Sequence, residues 1–440
     1  MKRDMELDRV EYLSPDAWSQ WHTELLQSTV NRAYNRVPFY RKRMEETGIG
    51  PDQIGSVEDI VKLPFTSMKD ISENYPYGLF SVPLRDIVRI HTLRSGQPNP
   101  IALGYAKPDL KRRTELTARF FRSAGVNEDD IVQICLDPGM SLHGQDLKEG
   151  AEFLGALVIP PDPVSILSRI RVMVDFKTTV LVTTPSYGLY MLETFKERNM
   201  PLAALNLRLM ILLGETLTQD VRDVFVQELD VETRAAYGIF EACGPTMAYE
   251  CSEKQGLHLA LDHVIPEVID PETLEVLEPG REGELVITTV TARANPLLRF
   301  RTGDITKLEI NTCPCGRTTW RMAPVSGRCD QIVVVRGVKI SPEHVRNLIC
   351  YSTGGKELSF LIVLGRNKHL TQVDIPVAID ESFFTGSLPQ LHNWIRDTED
   401  LFLESMGIRC RIRPVEYRSI LPFLEKGHII VSNAQFLAGK

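Results

Sequence analysis

The stretch from Arg301 to Gly337 reads RTGDITKLEINTCPCGRTTWRMAPVSGRCDQIVVVRG and alternates short strand patterns with turns and isolated charges. Asp304 follows a glycine at a predicted strand end, where its carboxylate can accept hydrogen bonds from sugar hydroxyls. Arg328 lies further along, where a guanidinium can face a phosphate or a carboxylate. The β-branched run 332–335 then closes on Gly337. The pattern favours a site built from loops, although a pair of hairpins with surface charges is an alternative on pattern alone.

Composition places the whole chain among globular proteins of more than one domain. It has 440 residues, 43% of them hydrophobic and 25% charged, so two or three domains are expected. No apolar run approaches the roughly 18–20 residues that span a bilayer, and the charged N-terminus lacks a signal core. We therefore expect a cytoplasmic protein without a membrane partner. The net charge of -8 gives no electrostatic reason to bind nucleic acid.

Strand and helix patterns alternate through the middle of the chain, between residues 131 and 213. This rhythm predicts βαβ crossovers and a largely parallel sheet, in which ligands lie beyond the carboxyl ends of the strands. Two loops follow predicted strands in this way, Gly214-Glu215-Thr216 and Tyr237-Gly238-Ile239-Phe240-Glu241. From about residue 331, four further strand patterns and two helix patterns predict a separate small α/β domain.

Several motifs resemble one enzyme family. RTGD, GRCD and the CPCGRT insertion are similar to the phenylacetate–CoA ligase family of the adenylate-forming acyl-CoA synthetases. Other stretches carry the same resemblance from about residue 10 to 350: Tyr34–Tyr40, Leu63–Thr66, Gly78–Phe80, Thr184–Tyr187, Gly256–His258 and Pro271–Thr273. The resemblance implies an α/β fold with a large N-terminal adenylate-forming domain, residues 1–330, whose mostly parallel sheets are flanked by helices. A small mobile C-terminal α/β domain, residues 331–440, would pivot at a hinge at Asp330.

The same resemblance implies site residues. The implied nucleotide contacts are Gly214, Glu215, Tyr237, Gly238, Asp304 and Arg328, with Arg94, Ser95 and Gly96 in the phosphate loop. The implied acyl pocket consists of His143, Tyr187, Ala242, Gly244 and Pro245. The implied catalytic groups are Lys426, Glu241 and Arg328. ATP or AMP, Mg²⁺ and coenzyme A would be the cofactors. A small carboxylic acid would be the substrate, CoA or an acyl carrier protein the thiol acceptor, and a homodimer the assembly.

Three of the eight cysteines and one of the nine histidines suggest a metal site. Cys251 and His258 lie seven apart, and Cys313 and Cys315 flank a proline. Three thiolates and one imidazole form a usual closed set for structural zinc, while free thiols in a loop are the alternative. Zinc at matching positions in some members of the family favours structural Zn²⁺.

Three phosphate-handling positions depart from the family pattern. The loop 93–100 lacks the expected threonines and contains Pro98, which has no N–H to donate. Phe240 stands where threonine is expected, and Lys426 lies one place before the slot of the terminal lysine, which Gly427 occupies. Two hypotheses follow: an ATP-dependent ligase for an aromatic acid, phenylacetate- or benzoate-like, or a repurposed member that binds an acyl or nucleotide ligand, or acts with a carrier protein, without efficient adenylation.

Overall fold

The computed structural model describes residues 9–93, 99–162, 164–367, 370–379 and 388–438. Its chain begins with two helices separated at one proline. Ser14 caps the first helix by accepting a hydrogen bond from the Ala17 N–H, and Pro38 starts the second, because the residue before a proline leaves helical geometry. The helices of the N-terminal part are α1 (Pro15–Arg36), α2 (Pro38–Thr47), α3 (Met68–Glu73), α4 (Lys107–Ser123), α5 (Ser141–Phe153), α6 (Ile166–Asp175), α7 (Pro185–Glu197) and α8 (Gln219–Leu229).

The strands of this part follow the predicted alternation with helices between residues 131 and 213. They are β1 (Ile87–Leu93), β2 (Ile101–Ala106), β3 (Ile131–Cys135), β4 (Leu157–Ile159), β5 (Val180–Thr183), β6 (Leu209–Leu213), β7 (Glu232–Ile239), β8 (Gly244–Tyr249), β9 (Leu257–Leu259), β10 (Val264–Ile269), β11 (Gly283–Thr289), β12 (Phe300–Thr306), β13 (Leu308–Glu309), β14 (Arg321–Met322) and β15 (Gly327–Arg328). β7 runs to Ile239, so Tyr237 and Gly238 belong to a strand and not to the loop that the sequence predicts.

The α/β class is confirmed, but the sheets are less parallel than expected. A nine-stranded sheet has the order β13-β14-β9-β8-β7-β6-β5-β3-β4, and its pairings are parallel from β4 through β7. The remaining pairings in this sheet are antiparallel, as are those of a second sheet, β10-β11-β12-β15. The prediction of mostly parallel sheets was wrong for strands β8 to β15, because short connections without crossover helices join these strands.

The C-terminal part starts with a hairpin and continues into its own sheet. Its strands are β16 (Val333–Val335), β17 (Val338–Ile340), β18 (Ile362–Asn367), β19 (Leu370–Ala378), β20 (Cys410–Val415) and β21 (Ile430–Ser432), and its helices are α9 (Pro342–Ser352), α10 (Leu388–Met406), α11 (Tyr417–Leu424) and α12 (Asn433–Ala438). The sheet has the order β20-β19-β18-β21. One hydrophobic cluster joins the hairpin to this sheet and to α9 and α10, so these elements share a core. The boundary at residue 331 stays a prediction.

Among the described residues, no helix combines the length and the apolar content needed to cross a bilayer.

Candidate active site

A cavity enclosing about 970 Å³ of empty volume, part of it open to solvent, lies where β6 and β7 end. It is lined by strand ends of the nine-stranded sheet, by β12 and β15, by the start of α5 and by the C-terminal hairpin. The predicted site residues on its wall are His143, Gly214, Glu215, Tyr237, Gly238, Asp304 and Arg328. The structure therefore brings together the described nucleotide residues that the sequence named.

Asp304 is held between a phenol and a guanidinium. The antiparallel pairing of β12 with β15 places it opposite Arg328, which donates to its Oδ1, while the Tyr237 hydroxyl donates to Oδ2 at 2.6 Å. Burial, followed by the charge of Asp304, raises the pKa of Tyr237 well above its usual value, so the phenol keeps its proton. A carboxylate fixed in this way can receive ribose hydroxyls without reorganising.

Arg328 also contacts the predicted hinge. Its Nε and Nη2 donate to the two carboxylate oxygens of Asp330 at 2.7 and 2.6 Å. Gly303 makes room for this pairing. Its φ is +76°, and a Cβ there would lie 2.5 Å from both Arg328 Nη2 and Asp330 Oδ2. The glycine of RTGD is thus required by close approach as well as by backbone conformation.

Glu215 is fixed by the start of α7. The Ser186 N–H donates to its carboxylate at 3.0 Å and the Ser186 hydroxyl at 2.8 Å. Burial raises the pKa of Glu215, while the two bonds from Ser186 oppose the shift. Gly214, at φ +80°, lets the chain turn beneath Met140, whose Cε would lie 2.6 Å from an added Cβ.

Phe240, the residue that replaces the expected threonine, stacks on His143. Their ring centroids are 3.8 Å apart with an interplanar angle of 13°. Burial, followed by the positive charges of Arg113 and Lys339, holds the pKa of His143 well below its usual range. The imidazole is therefore neutral at pH 7 and is a poor proton acceptor. The pair forms an aromatic wall between the cavity and the start of α5.

Glu241 follows Phe240 and is nearly enclosed. Its side chain is 3% exposed, and its Oε1 lies 3.6 Å from the ammonium of Lys339 on β17. No described residue donates a hydrogen bond to its Oε2. A buried carboxylate oxygen of this kind is costly unless a cation or a donor reaches it. Lys339 lines the cavity and was missed from the sequence, which offered only a lysine two residues after Gly337.

The predicted acyl pocket adjoins a buried ion pair that the sequence did not reveal. Arg113 on α4 and Asp146 on α5 are both buried, pair at 2.5 Å, and Arg113 also donates to the Ala242 carbonyl at 2.9 Å. An added Cβ on Gly244 would lie 2.7 Å from Arg113. Ala242 lines a second cavity of about 510 Å³ together with Glu241 and Tyr105. Pro245 is buried in β8, next to Gly238.

Other predicted residues lie apart from the cavity. Tyr187 packs in a hydrophobic cluster beneath α7, with Arg169 5.2 Å from its ring centroid, and lines neither cavity described above. Lys426 lies in an exposed turn after α11 and does not line the cavity. Arg94, Ser95 and Gly96 lie outside the described residues.

The predicted metal ligands meet in space. The candidate ligand atoms of Cys251, His258, Cys313 and Cys315 lie within 4.8 Å of one another. His258 Nδ1 lies 2.9 Å from the Thr319 hydroxyl, which leaves Nε2 facing Cys315 Sγ at 3.5 Å. Burial, followed by the charge of Arg317, lowers the pKa of His258 to about 4, so the imidazole is neutral as a metal ligand must be. This donor set fits a tetrahedral divalent ion.

The AMP-binding enzyme family matches residues 151–292, a stretch that includes Gly214, Glu215 and Tyr237 of the cavity wall. Curated relatives are more specific. The phenylacetate-coenzyme A ligase of Thermus thermophilus is 36% identical over 82% of this chain and 81% of its own length. The phenylacetate-coenzyme A ligase of Aromatoleum evansii is 34% identical over 88% and 87%. The chain belongs to the phenylacetate–CoA ligase family and is an acid–thiol ligase. The repurposed alternative is not favoured by these relatives.

Solved structures agree on the fold. The crystal structure of 2-hydroxyisobutyryl-CoA ligase in complex with 2-HIB-AMP and CoA in the thioesterification state gives a TM-score of 0.87 at 22% identity, covering 98% of this chain and 94% of its own. The same ligase in the postadenylation state, in complex with R3-HIB-AMP, gives 0.70 at 21% identity, covering 94% and 93%.

Proposed function

We propose that the chain activates an aromatic carboxylic acid with ATP and transfers the acyl group to coenzyme A. The observation that carries the proposal is the meeting of Asp304, Arg328 and Tyr237 with Glu215 around one cavity. The curated relatives, which are phenylacetate-coenzyme A ligases, support the aromatic acid and the acceptor.

The reaction has two halves. A carboxylate oxygen attacks the α-phosphorus of ATP, the bond to the β-phosphate oxygen breaks, and pyrophosphate leaves. The CoA sulfur then attacks the acyl carbon, the bond from that carbon to the phosphate oxygen breaks, AMP leaves, and the thiol proton passes to solvent. Asp304 would bind the ribose, Arg328 would orient Asp304 and face the phosphate, and the wall of Phe240 and His143 would exclude water from the acyl carbon.

Glu241 is the residue that would hold Mg²⁺. Its buried Oε2 has no hydrogen-bond partner among the described residues, which fits a carboxylate that awaits a cation. When bound, Mg²⁺ neutralises charge that develops on the leaving pyrophosphate.

The test is ATP–pyrophosphate exchange with a panel of phenylacetates and benzoates, followed by CoA-dependent release of AMP. Asp304→Asn keeps the size of the side chain but removes its charge, and we expect exchange to fall on the order of 10²-fold. Asp175→Asn is the matched control, because it changes an exposed aspartate paired with Arg171 at 3.4 Å. If no aromatic acid supports exchange, the proposal fails.

We also propose structural zinc at Cys251, His258, Cys313 and Cys315. The clustering of the four donor atoms supports it. Purified, untagged protein should contain close to one zinc ion per chain by elemental analysis, and a metal content near zero would refute the site.

Four finer expectations join the proposal. The C-terminal part would pivot at Asp330, and this motion would be needed to bring Lys426 from its exposed turn to the cavity. CoA is the proposed acceptor, and a carrier protein is tested by supplying its phosphopantetheine arm in place of CoA. A homodimer and a cytoplasmic location stay predictions, to be checked by light scattering and by cell fractionation.

A further inference from the structure

The C-terminal hairpin brings a cation to a buried carboxylate of the N-terminal part. Lys339, on β17, places its ammonium 3.6 Å from Glu241 Oε1, and the lysine side chain is itself only 22% exposed. Among the described residues that line the main cavity, Lys339 is the only lysine. Glu241 therefore receives its compensating charge from a different part of the fold.

Close packing fixes the hairpin in this position. A Cβ on Gly337 would lie 2.1 Å from Met140 Sδ, and a Cβ on Gly139 would lie 2.5 Å from Val338 Cγ2. Contacts this tight leave the hairpin little freedom while it lies on the start of α5. The position of the Lys339 ammonium therefore reports whether the hairpin is seated.

Two cations on the Glu241 carboxylate would repel one another. Its remaining oxygen, Oε2, is buried without a hydrogen-bond partner among the described residues and fits a divalent ion. A dication on this carboxylate would lie within a few ångströms of the Lys339 ammonium, and like charges repel strongly at that distance when water is excluded. Binding of Mg²⁺ and pairing with Lys339 are therefore in competition.

We propose that Lys339 acts as an electrostatic latch. It pairs with Glu241 when Mg²⁺ leaves with pyrophosphate, and this ion pair holds the hairpin at the cavity while the acyl group is transferred to the thiol. The proposal rests on the proposed function, because it uses the Mg²⁺ site. Over the whole chain, the TM-score is 0.87 against the thioesterification-state structure and 0.70 against the postadenylation structure. A latch makes the seated hairpin stable only after the first half-reaction.

Linkage gives the latch a measurable consequence. The two cations compete for one carboxylate, so the two equilibria are linked. Mg²⁺–pyrophosphate must weaken packing of the hairpin at the cavity by the same factor by which the Lys339 ion pair weakens binding of Mg²⁺–pyrophosphate. Removing the ammonium should therefore loosen the hairpin and tighten the ligand in parallel. A role confined to packing would loosen the hairpin without tightening the ligand.

The experiment measures hydrogen–deuterium exchange of residues 333–340 and titrates Mg²⁺–pyrophosphate by calorimetry. In the wild type, saturating Mg²⁺–pyrophosphate should speed exchange of the hairpin. Lys339→Gln should show fast exchange without ligand, no further response, and binding tighter by roughly 5-fold, the low end of typical coupling between linked sites. Lys148→Gln is the matched control, because Lys148 pairs with Glu152 at 2.9 Å within α5.

Unchanged hairpin exchange in Lys339→Gln overturns the latch, and so does ligand binding equal to that of the wild type. Glu241→Gln is a second variant that removes the other charge; it should also speed exchange, and slow exchange there contradicts the proposal. ATP–pyrophosphate exchange is scored separately. A ligase that turns over but whose hairpin ignores Lys339→Gln would retain the proposed function and lose only the latch.

Discussion

Replacement of Phe240 by threonine tests whether the absence of a hydroxyl at this position lowers the rate of adenylation. The ring stacks on His143 with centroids 3.8 Å apart, and such a pair contributes about 0.5–1.5 kcal/mol beyond burial of area. Phe240 is half-buried, so truncation should cost less than the roughly 3–5 kcal/mol of a fully buried phenylalanine. We expect a loss of about 1–3 kcal/mol in the free energy of unfolding.

The same change adds a hydroxyl to the cavity wall. A single donor aimed at developing negative charge is worth on the order of 10²–10³ in rate, so even an imperfectly placed hydroxyl should raise ATP–pyrophosphate exchange by about 10-fold. Phe240→Val is the decisive control, because valine has the shape of threonine without the hydroxyl. The ratio of the two variants therefore isolates the hydroxyl from the space left by the ring.

Equal exchange rates for the threonine and valine variants would refute this reasoning, whatever their rates relative to the wild type. Thermal melts of both proteins check that the loss of stacking is matched. If both variants have the same melting temperature and only the threonine variant shows faster ATP–pyrophosphate exchange, the hydroxyl was the missing contact.

Three further outcomes are expected. Cys313→Ser should remove zinc and lower the melting temperature by several degrees, whereas Cys350→Ser, which changes a cysteine outside the cluster, should do neither in metal analysis and scanning calorimetry. Gly303→Ala should weaken AMP binding about 10-fold or more in calorimetry, because its Cβ displaces Arg328; unchanged affinity would show that the loop adapts. Burial raises the pKa of Glu215, so the contribution of this group to stability is fully present below its ordinary pKa of 4.5 and is lost as the pH rises through the raised pKa of the folded state. Glu215→Gln should therefore have a higher melting temperature than the wild type at pH 7, and the difference should vanish near pH 4.

Local pattern was sufficient for elements that are defined by their own residues. The apolar runs of β3, β5 and β6 carry the alternation that predicted the parallel part of the nine-stranded sheet. Helix α11 was not predicted because Pro422 interrupts its pattern; the proline is tolerated there late in a short helix.

Long-range pairs were beyond the reach of the sequence. Arg113 and Asp146 lie 33 residues apart, and nothing local distinguishes them from exposed charges. Lys339 meets Glu241 only because the hairpin folds back over the start of α5. The nucleotide residues could be named because a resemblance supplied them, while the electrostatics around them required the folded chain.

Arg328 contacts Asp304 through one nitrogen and Asp330 through two others. Arg328, which would orient the proposed ribose carboxylate, is thus two positions away from the proposed pivot and hydrogen-bonded to it. Any rotation of the chain at Asp330 must rearrange the guanidinium that also holds Asp304, the proposed ribose-binding residue. Nucleotide occupancy and domain orientation would then share a single side chain, so AMP alone, without an acyl group, should change the rate at which the two parts reorient.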